Sequence, residues 1–214
     1  MEIVTIFIVF GLVFLGELGD KTQLIVFNLA LEYKKFYKVG IGVTIGFAIL
    51  VTIGVFFGAV ITRYVPLFII SIVSGIIFII IGILEALKLK KLYLERKLEQ
   101  FESVSNQNHK KADNEKSLSL KLSKFKKNPY LAGFVYIFIM ELGDKTQILT
   151  ITLSANYPYP IEVWLGAFLA LVSVAWIGIL LGGIIAQKVP KFYLKLISTS
   201  IFIFVGIWIL ITSF

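Results

Sequence analysis

Six stretches of the chain are almost continuously apolar, and polar residues collect between them: Ile3–Leu31, Val39–Ile61, Pro66–Leu87, Leu131–Ala155, Ile161–Ala186 and Pro190–Ser213. A helix needs about 20 residues to cross hydrocarbon about 30 Å thick, and each run reaches that length. Only helices and closed barrels satisfy their own backbone in lipid, and these runs lack the two-residue alternation of a barrel strand. The pattern therefore predicts an all-α integral membrane protein with six transmembrane helices. The segment from Met1 to Leu15 has no basic stretch ahead of its apolar run, and the run passes Gly16 with no small-residue cleavage pattern. It reads as a retained first span and not as a signal peptide.

Composition agrees. The chain is 58% hydrophobic and 16% charged, too little polar surface to coat a water-facing exterior of this size. It has no Cys and a single His, His109, which lies in the most polar stretch. Thiolate and imidazole metal chemistry is thereby excluded from the apolar part.

The net charge of +8 does not point to nucleic acid, because the excess lies between and beside the spans. The linker Lys88–Asn128 alone holds twelve Lys or Arg against five Asp or Glu. Its first part, through Phe101, can extend the preceding helix, and its Ser-, Asn- and Lys-rich middle reads as a solvated tether. With the linker in the cytosol, the same side receives Lys34, Lys35, Lys38, Lys188, Lys191 and Lys195, whereas the other receives Arg63. The positive-inside rule then places both termini outside.

Shifting the chain by 124 residues lays Glu17–Gln23 on Glu141–Gln147 with all seven residues identical, and Glu17–Glu85 matches at 24 of 69 positions without a gap. Val65-Pro66 falls on Val189-Pro190, and Gly42, Gly54, Gly58 and Gly82 fall on Gly166, Gly178, Gly182 and Gly206. Apolar bias alone scatters Ile and Leu matches but does not align glycines and prolines. The reading is a duplication: residues 1–87 form one three-helix unit, 88–128 the linker and 129–214 the second unit. Three is odd, so the second copy enters the membrane from the opposite face, giving two inverted-topology repeats.

The repeated heptad Glu-Leu-Gly-Asp-Lys-Thr-Gln falls near the middle of the first and fourth spans. Each charged side chain at that depth costs about 2.5–3.5 kcal/mol, so four carboxylates and two lysines cost on the order of 15 kcal/mol if they face lipid. They must face each other, a cavity or an ion. On a continuous helix Glu17, Asp20 and Lys21 share one face, Gln23 lies at its edge and Thr22 turns away, with Glu17 and Lys21 spaced as an i,i+4 pair. Ion pairing of Glu17 with Lys21 and Glu141 with Lys145 would lock helices but leaves Asp20 and Asp144 over. The summed charge is −2, which one divalent cation or two protons would cancel.

Carboxylates, hydroxyls and amides form a hard oxygen site suited to calcium, manganese or magnesium and not to zinc or copper. Burial favours a neutral carboxyl and a bound cation favours a charged one, so protons and metal compete for the same oxygens. The glycines beside the acids, Gly16, Gly19 and Gly143, admit two readings: close helix packing, or local unwinding that turns Thr22 and backbone carbonyls toward an ion. The spaced pairs Gly42/Gly46, Gly54/Gly58 and Gly178/Gly182 read as helix contacts.

Two copies of E-x-G-D-[KR]-[ST], one opening each half of a six-span chain with a charged central loop, resemble the manganese/calcium–proton exchangers of Golgi, chloroplast and prokaryotic membranes. The resemblance implies a secondary transporter and not an enzyme, with no prosthetic group. It implies manganese or calcium bound by Glu17, Asp20, Glu141 and Asp144. Lys21 and Lys145 then hold the motif's basic position and Thr22 and Thr146 its hydroxyl position, with Gln23 and Gln147 in support. The expected partners are divalent cations, protons and the lipid bilayer, with room for a homo-oligomer. The lack of a long N-terminal extension resembles the prokaryotic type, implying the cytoplasmic membrane. Two other classes stay open at this point: an amino-acid exporter with the same inverted plan, and a non-transporting scaffold held by buried ion pairs.

Overall fold

The computed structural model of the chain describes residues 2–18, 21–33, 35–102, 128–188 and 191–212. Among these residues there are eight helices and no strand: α1 (Ile3–Glu17), α2 (Lys21–Leu31), α3 (Phe36–Tyr64), α4 (Leu67–Glu102), α5 (Pro129–Glu141), α6 (Lys145–Asn156), α7 (Pro160–Lys188) and α8 (Lys191–Thr212). Local chemistry accounts for several boundaries. Asn128 accepts from the Tyr130 N–H at 3.1 Å and Pro129 fills the first turn of α5, where a missing donor costs nothing. Val65 is extended (φ −119°, ψ 129°) because Pro66 follows it, and this ends α3. α4 continues past the apolar run to Glu102, as expected for the start of the linker; residues 103–127 lie outside the described residues.

The first and fourth apolar runs are not continuous helices. α1 stops at Glu17 and α2 starts at Lys21; α5 stops at Glu141 and α6 starts at Lys145. Leu18 and Leu142 are both extended, with ψ of 120° and 112°. Gly143 follows at φ +81°, a conformation that glycine adopts without the Cβ penalty. The single-face argument for Glu17, Asp20 and Lys21 assumed an unbroken helix and therefore fails. Unwinding and close packing both occur: a Cβ on Gly16 would stand 2.9 Å from the Phe202 ring.

Glycine contacts fix the helix directions. Along α3, Gly42 meets the Tyr130 carbonyl, Gly54 meets Thr150 and Gly58 meets Ser154, so α3 runs parallel to α5 followed by α6. Along α7, Gly166 meets the Ile6 carbonyl and Gly178 meets Gln23, so α7 runs parallel to α1 followed by α2. α3 and α7 are antiparallel to each other, because Trp164 donates to Thr52 at 2.9 Å and Trp176 to Thr44 at 3.3 Å. α4 and α8 also cross antiparallel, with Gly75 against Leu210 and Gly82 against Ile203. Each half-helix pair thus lies along a long helix belonging to the other half of the chain.

The interior is built of small branched residues, among them Val9, Val13, Val39, Val43, Val51 and Val163, all essentially inaccessible. The outer surface is also apolar, with Phe7, Phe56, Leu67, Phe204, Trp208 and Ile211 exposed. An apolar exterior around an apolar core is what a lipid environment allows and water does not. α3, the Leu67–Leu87 part of α4 and the Pro160–Leu181 part of α7 are each long and apolar enough to cross a membrane. Ile3–Glu17, Pro129–Glu141 and Thr199–Ile211 are apolar but shorter.

Candidate functional site

The two helix breaks face each other, and their side chains are exchanged. Thr146, in the first turn of α6, donates its hydroxyl to Glu17 Oε1 at the end of α1. Reciprocally, Thr22, in the first turn of α2, donates to Glu141 Oε1 at the end of α5, at 2.5 Å. All four residues are buried. Each carboxylate thus lies at the N-terminal end of a short helix from the opposite half, where the helix dipole and the hydroxyl both favour negative charge.

Lys145 completes this arrangement differently from the sequence expectation. Its ammonium lies 3.8 Å from Glu17 Oε1 and donates to the Gly16 carbonyl at 2.8 Å. Glu17 therefore has a cationic partner across the halves in Lys145, a contact that helical spacing within one heptad does not offer. The side chain of Lys21 and the whole of Asp20 lie outside the described residues. Thr22 is not turned away: the helix break rotates it onto Glu141.

Gln23 is buried with its backbone against Gly178, and Gln147 donates to the Leu50 carbonyl at 3.2 Å. Asp144 is not gathered with the two glutamates. It is exposed at the N-cap of α6, where its carbonyl accepts from Gln147 N–H at 3.0 Å while its carboxylate makes no cap hydrogen bond. Among the described residues no three His, Cys, Asp or Glu side chains converge in a metal-binding cluster. A small cavity adjoins the pair, lined by Glu141, Thr146, Gln147 and Thr150 on one side and by Phe47, Leu50, Val51 and Leu171 on the other. Thr150 and the Gly16 carbonyl were not singled out from sequence. The signal for Thr150 was its i,i+4 spacing from Thr146, which puts both hydroxyls on one face of α6.

Buried carboxylates at paired helix breaks, held by hydroxyls and an ammonium inside an apolar helical body, define a membrane transport protein for cations. The chain matches the model of the divalent cation/proton antiporter family GDT1 over residues 5–91 and 129–214, and it belongs to that family. It is a transporter and not an enzyme, which sets aside the amino-acid exporter and scaffold readings. It is similar to a provisionally named manganese exporter of Vibrio cholerae serotype O1, 26% identical over 90% of this chain and 84% of the relative. A GDT1-like protein of Synechocystis sp. is 28% identical over 89% of each chain. A GDT1-like protein of Schizosaccharomyces pombe is 25% identical over 92% of this chain and 86% of the relative. No solved structure matches the chain at comparable significance.

Proposed function

We propose that this chain exports manganese or calcium in exchange for protons across a prokaryotic cytoplasmic membrane, through six spans arranged as two inverted three-helix repeats (residues 1–87 and 129–214) with both termini outside. The reciprocal Glu17–Thr146 and Glu141–Thr22 pairing carries this reading. It makes one site out of two identical heptads, one from each of two halves that run in opposite directions. The antiparallel pairings of α3 with α7 and of α4 with α8 support the inversion. The basic linker supports the cytosolic assignment.

Glu17 and Glu141 are the core of the cation site in this reading, and Asp20 and Asp144 complete a four-carboxylate set in the ion-loaded state. Asp144 reaches it by rotation at the Leu142–Gly143 break, where Gly143 has open space around it. Two protons or one divalent cation neutralise the site, and competition between them couples the fluxes. Manganese is favoured as cargo by the Vibrio relative's name. The test is purified protein in liposomes with an internal pH dye, challenged with manganese, calcium or magnesium under a proton gradient. Proton movement driven by manganese or calcium, and lost in Glu17→Gln, supports the proposal. Silence with every divalent cation defeats it.

A further inference from the structure

The two halves differ along one seam. Thr146, Thr150 and Ser154 follow each other at four-residue spacing on α6 and face α3, whose Gly54 and Gly58 lie against Thr150 and Ser154. Thr150 and Ser154 are both buried. In the first half the residues 124 positions earlier are Val26 and Ala30, also buried, on α2, which packs against α7. Apolar side chains therefore fill the equivalent positions of the equivalent seam, and packing alone does not call for hydroxyls.

The hydroxyls are set in a particular way. Thr150 donates to the Thr146 carbonyl at 2.8 Å and Ser154 to the Val55 carbonyl at 3.0 Å. A hydroxyl has one donor and two acceptor lone pairs, so with the donors committed to backbone, both oxygens offer only lone pairs. That is the chemistry a hard divalent cation and its water shell need. The cavity beside Glu141 reaches this row at Thr150. Beyond it the seam is shut, since a Cβ on Gly58 would stand 2.6 Å from Ser154 Cβ.

We propose that the α3–α6 seam is the route by which the hydrated cation passes between Glu141 and the end of the molecule bearing Arg63 and the α6–α7 turn. The α2–α7 seam is the dry side. Ser154 against Gly58 is the constriction that opens during the cycle. This rests on the transport reading above, but its test does not require flux.

The chain has no Cys, so single cysteines report without background. Thr150→Cys, Ser154→Cys, Val26→Cys and Ala30→Cys would each be exposed, in sealed vesicles of each orientation, to a membrane-impermeant cationic methanethiosulfonate, with and without manganese. Only the thiolate reacts, so a wet position labels roughly tenfold or more faster than a dry one. The expected result is labelling of T150C and S154C from the Arg63 face alone, slowed by manganese at T150C, with V26C and A30C inert. Labelling of V26C and A30C at comparable rates, or none at T150C and S154C from that face, overturns the proposal. If the labelling is one-sided but liposomes show no exchange, the transport reading fails and the wet seam stands. If exchange occurs and the labelling is symmetric, this proposal alone fails.

Discussion

Thr22 and Glu141 are 119 residues apart in sequence, yet the threonine hydroxyl donates to the glutamate at 2.5 Å. The mirror pair, Thr146 and Glu17, is 129 residues apart. The motif hydroxyl serves the acid of the other copy, never its own. The helix break makes this possible, because it ends one helix at the acid and starts the next at the hydroxyl.

Thr22→Val keeps the shape of the side chain and removes the donor. A hydrogen bond to a charged group contributes about 1.5–3 kcal/mol, so the variant should unfold earlier in detergent melts and exchange cations more weakly. Thr22→Ser should recover most of both. Equal behaviour of the two variants would show that the hydroxyl is idle.

Glu17→Gln should abolish manganese-driven proton movement while leaving the protein assembled, because the amide still accepts from Thr146 and fills the same volume. A charge partner of Lys145 is lost in this variant. Lys145→Met in the same background should therefore be better tolerated than Lys145→Met alone. A double-mutant cycle on thermal stability checks the coupling.

Gly166→Leu should be severely disruptive. Even a Cβ at this position would stand 2.7 Å from the Ile6 carbonyl oxygen and 2.9 Å from Val9 Cβ. Overpacking costs about 1–3 kcal/mol or more, and backbone atoms cannot move aside as side chains do. Gly11→Leu has nothing within 4 Å and is the matched control. Relative yield of folded protein on size-exclusion chromatography separates them.

Gly143→Ala meets no neighbour, but the φ of +81° costs an L-residue about 1–2 kcal/mol. Expression should be near normal. The initial rate of exchange should fall by roughly fivefold to thirtyfold if the break must rearrange in each cycle, which is the scale of that strain. An unchanged rate would mean the break is static.

The sequence carried the apolar runs, the duplication and both heptads, because each depends on local composition or on identity between copies. It did not reveal the breaks. Periodicity arguments assume that backbone hydrogen bonding continues, whereas here the Gly16 carbonyl at the end of α1 is satisfied by the Lys145 ammonium of the opposite half. The glycines beside the acids were the available signal, open to packing or unwinding, and the two occur at different residues: Gly16 packs tightly and Gly143 turns the chain. The cross-half contact of Lys145 with Glu17 was hidden for the same reason. Asp144 shows the converse: its type and depth marked it as a site residue, but its N-cap position on α6 leaves it exposed.

The exchange of partners has a consequence for biosynthesis. Glu17 leaves the ribosome well over a hundred residues before Thr146 and Lys145 exist. A charged side chain within the apolar part of a bilayer costs about 2.5–3.5 kcal/mol. The newly made first half must therefore carry that acid through insertion without the hydroxyl and the ammonium that the second half later supplies.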